Sequence, residues 1–203
     1  MSALTFIDYS ILTDIANALR EKTGSELSMK PSEMPIILQG LDVIKSDISS
    51  LMDRSITSYT SPDVTKIREY GLCYCTGLHT VSLENCTVIE NHAFYMDRSL
   101  KNLSFPKVTT IGESAFSGCE HIVTITLPKV TSIGNYAFFT CSRLEELVLS
   151  NNVVCTLANA DALAGTLIAE SETNGYIKVP SNLVASYKAA NGWSTYANKI
   201  IAI

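Results

Sequence analysis

The sequence predicts an α+β protein whose centre is a short right-handed solenoid of about four 22-residue units, joined by a parallel β-sheet. Two observations carry this prediction. Apolar and small residues recur at a constant interval through the middle of the chain, and each unit ends in the apolar alternation of a short strand. Helical spacing before the units and a strand–helix pattern after them complete the fold, because the open ends of a solenoid must be covered.

One set of isoleucines fixes the period, and the residues downstream of each isoleucine keep it. We use the word column for positions that are separated by one full period in successive units. Since one unit holds too few apolar residues to fold alone, the columns are expected to stack into one continuous hydrophobic core. The predicted core ladder consists of Ile67, Ile89, Ile111 and Ile133, of Leu72, Phe94, Phe116 and Phe138, and of Leu83, Phe105, Leu127 and Leu149.

Two of the units carry a recognisable motif. Residues 108–119 read Val-Thr-Thr-Ile-Gly-Glu-Ser-Ala-Phe-Ser-Gly-Cys, and residues 130–141 read Val-Thr-Ser-Ile-Gly-Asn-Tyr-Ala-Phe-Phe-Thr-Cys. With the L-x-x-L-x-L spacing that follows, they resemble the BspA-like (treponemal-type) bacterial leucine-rich repeat over residues 64 to about 151. The earlier units depart from the motif, for example with Asp97 in place of Cys. The resemblance implies a leucine-rich-repeat solenoid with a less regular N-terminal end.

The pattern divides the chain into three regions. Residues 1–54 are predicted to be an N-terminal helical attachment or oligomerisation segment, residues 55–155 the solenoid, and residues 156–203 a C-terminal cap. In the cap, a short apolar strand is followed by a helix that Pro180 opens, and Trp193 is predicted to plug the last turn.

Both flanks also carry resemblances. Residues 14–24 and 30–35 resemble a short N-terminal module that is common on tail and other structural proteins of phages and prophages of gut Firmicutes. Residues 175–196 are similar to the ending that accompanies the repeat in the same proteins. These resemblances imply a particle-associated role for the chain.

Composition argues against several functional classes. The formal net charge is −5 and the 15 Lys and Arg residues are scattered, whereas nucleic-acid binding needs clustered cations. No stretch approaches the roughly 18 apolar residues of a membrane helix, so no membrane insertion is expected.

The first residues lack a secretion signal, which predicts a protein made in the host cytoplasm without export. With 46% apolar and only 17% charged residues, contacts between copies of the chain are expected.

The sequence contains no constellation that predicts catalysis. His79, His92 and His121 fall in different columns, so stacking brings no two of them together, and the common hydrolase, phosphate-loop and metalloprotease motifs are missing. We therefore expect no enzymatic activity, no cofactor and no metal. Cys119 and Cys141 fall on adjacent units, roughly 5 Å apart, so a disulfide is geometrically allowed, but buried thiols acting as small apolar fillers are favoured.

Two surfaces are candidates for binding. The first is the outward face of the predicted strands, which could equally be ordinary solvent-facing residues. The second is an aromatic surface on the other side of each unit, which could stack on sugar rings, bury in a subunit contact or pack against the N-terminal helices. The strand-face candidates are Thr80, Asn102, Thr124 and Glu146, and the aromatic-side candidates are Tyr70, His92, Tyr95, Tyr136 and Phe139.

These patterns favour a non-enzymatic virion component, at the tail, baseplate or another particle surface. Its expected partners are other virion proteins, copies of itself, and a host cell-surface protein or glycan. Two alternatives stay open: an adhesin-like interaction protein of the bacterial surface, where the same repeat occurs, and a decoration or assembly protein with no ligand.

Overall fold

Two sets of parallel strands form the described part of the computed structural model, residues 56–170 and 173–203. Residues Thr57–Ile203 make up one unit of the fold. The helices predicted within residues 1–54 lie outside the described residues, and their attachment or oligomerisation role therefore stays a prediction.

Most turns of the chain supply one longer strand to a first sheet and one two-residue strand to a second sheet. The strands of the first sheet are β1 Ser58–Thr60, β3 Thr80–Ser82, β5 Asn102–Ser104, β7 Thr124–Thr126, β9 Glu146–Val148, β11 Tyr176–Val179 and β12 Ile200–Ala202. The strands of the second sheet are β2 Lys66–Ile67, β4 Val88–Ile89, β6 Thr110–Ile111, β8 Ser132–Ile133 and β10 Thr156–Leu157.

The strand register repeats the sequence period. Val81 lies opposite Leu103 in the first sheet, and Ile111 lies opposite both Ile89 and Ile133 in the second. Equivalent residues of successive units therefore sit directly above one another, which confirms the predicted leucine-rich-repeat solenoid. The sequence does not predict the second sheet, because a two-residue strand leaves no alternation to detect.

Stacked phenylalanine rings form the centre of the core. The ring of Phe116 lies 5.1 Å from that of Phe94 and 5.4 Å from that of Phe138, and the interplanar angles are 8° and 2°. All three side chains are fully buried, and the other members of the predicted core ladder are at most 5% exposed. Aromatic pairs of this kind contribute roughly 0.5–1.5 kcal/mol each beyond the burial of their area.

Strand pairing continues past residue 155, where the sequence pattern places the end of the solenoid. Thr156 pairs with Ser132 and Tyr176 pairs with Glu146, so these partners lie farther apart in the sequence than those of the earlier units. The extra residues include a short 3-10 helix, Ala160–Leu163. A search for a fixed period does not detect these later turns, because the insertions break the period while the backbone pairing persists.

A helix and a tryptophan close the C-terminal end. Helix α1, Val184–Ala189, follows β11, and Trp193 is fully buried. The Trp193 indole Nε1 donates a 2.6 Å hydrogen bond to the carbonyl of Cys155, and its ring meets that of Tyr187 edge-on at 5.4 Å. The predicted strand–helix cap with a tryptophan plug is confirmed.

The first sheet is divided between β5 and β7. Strands β1, β3 and β5 form one ladder and β7, β9, β11 and β12 form another, whereas the second sheet runs without a break from β2 to β10. The division falls where Phe105 replaces the leucine of its column, and its ring lies 6.0 Å from both Phe94 and Phe116. We attribute the separation of the two strands to the larger volume of this ring.

Replacing Phe116 with alanine is expected to lower the free energy of unfolding by about 3–5 kcal/mol, because the ring is stacked on both faces and fully buried. Urea unfolding followed by circular dichroism measures the change. Phe139→Ala is the matched control, since Phe139 is 38% exposed, and it should cost less than about 1.5 kcal/mol. Equal losses in the two variants would contradict a stacked core.

Candidate functional site

Two turn positions in each unit hold the backbone in the left-handed region. They form two columns, with φ between 52° and 61° at every residue other than glycine. The columns are Tyr70, His92, Ser114 and Tyr136, and Tyr74, Met96, Gly118 and Thr140. A left-handed conformation costs an ordinary residue roughly 1–2 kcal/mol, and glycine avoids this cost. Seven of the eight positions therefore carry a side chain despite backbone strain.

The side chains at and beside these turns form what we call the aromatic surface: Tyr70, Tyr74, His92, Tyr95, Tyr136 and Phe139. Tyr70 stacks on His92 at 4.7 Å, and Tyr95 meets His92 and Tyr74 edge-on, each at 5.6 Å. Tyr136 and Phe139 form a separate edge-on pair at 5.6 Å. The structure thus brings the predicted aromatic residues together in two clusters.

The turn between the two clusters carries only small residues. Ser114 and Ser117 are buried, and Gly118 has a φ of +76°. A Cβ at Gly118 would lie 2.6 Å from the Met96 sulfur, so Met96 occupies the space above this glycine. The two aromatic clusters therefore lie on either side of one turn whose surface positions carry small side chains.

The strand face is polar and mostly solvent-facing, as expected from its sequence. Asn102 and Thr124 are exposed, whereas Thr80 and Glu146 are half-buried. Glu146 accepts a 2.7 Å hydrogen bond from Lys178 on β11. Where β5 and β7 separate, this face opens into a cleft of about 560 Å³.

The histidines take part in separate contacts. His92 lies among the aromatic residues, and His121 Nδ1 is 2.7 Å from the carbonyl oxygen of Arg98. Because a carbonyl can only accept, Nδ1 carries the proton in this hydrogen bond. Within the described ranges, no group of three His, Cys, Asp or Glu side chains is arranged to hold a metal ion.

The cysteines of the core column are buried thiols. Cys119 Sγ donates to the carbonyl of Phe94, and Cys141 Sγ donates to that of Phe116, each at 3.1 Å. Burial raises the pKa of both thiols well above the ordinary cysteine value, and it raises the pKa of Cys155 to about 12. These groups act as small apolar fillers that also satisfy a buried carbonyl, and they are poor nucleophiles.

Family comparison agrees with this architecture. Residues 65–181 match the model of the BspA type leucine rich repeat region. The chain belongs to this family. No curated protein matches this BspA-type repeat. None of the helices in the described part of the chain combines the length and apolarity needed to span a membrane.

Two of the solved structures that are similar to this chain illustrate the likeness. One is a leucine rich cell surface protein from Faecalibacterium prausnitzii A2-165, with 20% identity and a TM-score of 0.46 over 72% of this chain and 32% of that one. The other is a leucine-rich repeat protein from Bacteroides ovatus ATCC 8483, with 22% identity and a TM-score of 0.49 over 73% of this chain and 42% of that one. This chain therefore spans less than half the length of either protein.

Sequence reasoning missed two parts of the site. Tyr74, the most exposed aromatic residue of the surface at 52%, stands in a column with methionine, glycine and threonine, so periodicity does not single it out. The cleft residues His121 and Arg143 lie one period apart in the same column, whereas Lys101 lies in another, and all three line the opening where β5 and β7 separate. The unusual Phe105 was the one available signal for that separation.

Replacing Thr140 with glycine is expected to raise the free energy of unfolding by about 0.5–1 kcal/mol, because threonine is branched at Cβ and held at a φ of 56°. Chemical denaturation measures the change. The control, Thr131→Gly, alters a threonine outside the left-handed columns and should instead destabilise by about 1 kcal/mol. A loss of stability in both variants would show that the turn is not strained.

Stability is expected to fall as the pH rises above 9.0, the ordinary cysteine pKa, because the unfolded thiols ionise there while the buried ones keep their protons. The stabilisation is fully present below that pH and is lost as pH climbs towards the raised pKa values of Cys119 and Cys141. Urea unfolding at pH 7.5, 9 and 10, in reducing buffer, measures the slope. The Cys119→Ala/Cys141→Ala variant should show a shallower decline, and an identical decline would contradict this origin.

Proposed function

We propose that this BspA-type repeat is a non-enzymatic interaction protein that binds a partner at a bacterial surface through its aromatic surface. The observation that carries the proposal is the exposure of aromatic rings at strained turns. Tyr70, Tyr74, Tyr136 and Phe139 each expose between 38% and 52% of their area. Rings of this size provide most of the binding energy in many protein interfaces and also stack on sugars.

The turns that carry these rings are held in place by the next turn of the solenoid. The backbone N–H of Tyr74 donates to the carbonyl of Tyr95 at 2.8 Å, and that of His92 donates to the carbonyl of Glu113 at 2.8 Å. A partner therefore meets side chains whose backbone is already ordered, which reduces the entropy lost on binding. This pre-organisation supports recognition by the aromatic surface.

Membership of the family supports a role in binding through an extended surface rather than a role in catalysis. A leucine-rich solenoid consists of stacked units with one extended surface, and such surfaces are typical of binding proteins. Among the described residues, the strongly raised pKa values belong to buried thiols. Buried groups of this kind stabilise the fold and do not meet a substrate.

A virion role is the second candidate. It is supported by the resemblance of residues 14–24 and 30–35 to the N-terminal module of phage structural proteins, and these residues lie outside the described part of the chain. Mass spectrometry separates the two candidates. Enrichment of the protein in purified particles supports the virion role, whereas release by protease treatment of intact bacterial cells supports the surface role.

The variant Tyr136→Ala/Phe139→Ala is expected to reduce adhesion of cells that display the full chain to host-cell layers by about tenfold or more, because it removes one complete aromatic cluster. Adhesion is counted against cells that display no protein. Tyr176→Ala is the matched control, because Tyr176 is a half-buried aromatic residue on β11, outside the aromatic surface.

Two outcomes would contradict the proposal. Equal adhesion of the variant and the unaltered chain would favour a scaffold without a ligand at this surface. A fall of more than about 3 kcal/mol in the unfolding free energy of the variant would show that the rings are needed for the fold itself. Adhesion lost with stability retained supports binding.

A further inference from the structure

The separation of β5 from β7 leaves backbone groups without the partners that neighbouring strands have. The carbonyl of His79 accepts from the N–H groups of Lys101 and Asn102, each at 3.0 Å, and that of Val123 accepts from Glu145 and Glu146 at 2.9 and 3.1 Å. The equivalent bonds would run from Val123 and Thr124 to the carbonyl of Lys101. Within the described ranges these bonds are missing, so the adjacent N–H groups of Val123 and Thr124, two residues that line the cleft, have no hydrogen-bond partner in the protein.

The partial exposure of one core residue shows the same opening. The middle residues of β3, β7 and β9, which are Val81, Ile125 and Leu147, are at most 1% exposed, whereas Leu103 of β5 is partly exposed. Leu103 lines the cleft together with Val123. The opening thus exposes both polar backbone groups and the apolar side chains of Leu103 and Val123.

Two cationic side chains lie in the same cleft as the unpaired amides. Lys101 and Arg143 line it together with His121, and the lining contains no carboxylate although the whole chain has a formal charge of −5. Within the part of the chain that the structure describes, the side chains of Lys101 and Arg143 have neither an ion-pair nor a hydrogen-bond partner. Two cationic side chains without partners, close to two N–H donors without partners, form a group that is suited to binding an anion.

Neighbouring carboxylates do not neutralise this group. Glu120 pairs with Arg98 at 3.2 Å, and Glu146 pairs with Lys178 at 2.7 Å. Glu145, the next exposed acid, lies outside the lining of the cleft. The positive charge of the cleft is therefore available to a ligand.

The dimensions favour a compact ligand over an extended peptide. Cα atoms of β5 and β7 still approach within 8 Å of each other, whereas an inserted strand would need about 9.6 Å, twice the normal strand spacing. A volume of about 560 Å³ suits a small molecule.

We propose that this cleft binds a small acidic saccharide, with the carboxylate held by the amides of Val123 and Thr124 and by Lys101 and Arg143. Thr124 and Asn102 also line the cleft, and sugar hydroxyls would bond to the Thr124 hydroxyl and to the side-chain oxygen of Asn102, whose Nδ2 already donates to Thr80 at 3.4 Å. Leu103 and Val123 contact the apolar face of the ring. This site is separate from the aromatic surface, and its existence does not depend on the function proposed for that surface.

Calorimetric titration of the full chain with sodium D-glucuronate tests the site. We expect glucuronate to bind in the millimolar range, and D-glucose, which has the same ring without the charge, to bind at least about tenfold more weakly. Addition of 0.5 M sodium chloride should also weaken glucuronate binding, because exposed charges are screened. In nuclear magnetic resonance spectra, the amide signals of Val123 and Thr124 should shift on titration.

Variants identify the groups responsible. Lys101→Gln/Arg143→Gln should lose at least about tenfold in glucuronate affinity. Lys129→Gln/Lys188→Gln, which removes the same charge from exposed positions outside the cleft, should stay within about twofold of the unaltered chain. The variant Tyr136→Ala/Phe139→Ala should bind glucuronate normally, so loss of adhesion through the aromatic surface and loss of this site are distinguished.

Several results would overturn the proposal. These are no measurable glucuronate binding, equal affinity for glucose and glucuronate, or undiminished binding by the Lys101→Gln/Arg143→Gln variant. Tighter binding of a tetraglutamate peptide than of glucuronate would assign the cleft to acidic peptides instead. A shift of amide signals elsewhere in the chain, with those of Val123 and Thr124 unchanged, would place the binding outside the cleft.

Discussion

The stacking of equivalent residues at the strand spacing is the constraint on which the rest of the structure depends. Successive units hydrogen-bond in parallel, so each core residue lies against its own counterpart one turn away. Phe94, Phe116 and Phe138 show the result, because identical rings at identical positions become nearly parallel stacks. No unit has a core of its own, and the stability of each turn therefore depends on its neighbours.

This constraint also determines which positions are free to vary. Side chains that point inward must match the volume of the column, whereas the aromatic side chains at the left-handed turns project from it. Tyr70 and His92 occupy equivalent backbone positions with different chemistry, and their φ angles are nearly the same, at 57° and 55°. The scaffold thus separates the residues that build the fold from those whose chemistry can change without altering it.

The regular part of the fold can be predicted from the sequence because periodicity reports stacking directly. Residues 67 to 149 contain the complete pattern, and the buried ladder follows from it. The later turns escape the prediction because loops of different length change the spacing to Thr156 and Tyr176 without changing the pairing. The aromatic residues could be placed on one side of each unit, yet their division into two clusters depends on packing at Ser114 and Gly118. The cleft could not be predicted from the period, since it lies where β5 and β7 separate, and the one departure from the pattern there, Phe105 in a column of leucines, does not by itself indicate an opening.

The asymmetry between the two sheets has a mechanical consequence. The second sheet holds all its turns together, while the first is joined only through the core at the junction of β5 and β7. A bending force would therefore be resisted least at this junction, with the continuous short-strand ladder acting as a hinge and the two blocks on either side moving as stiff bodies.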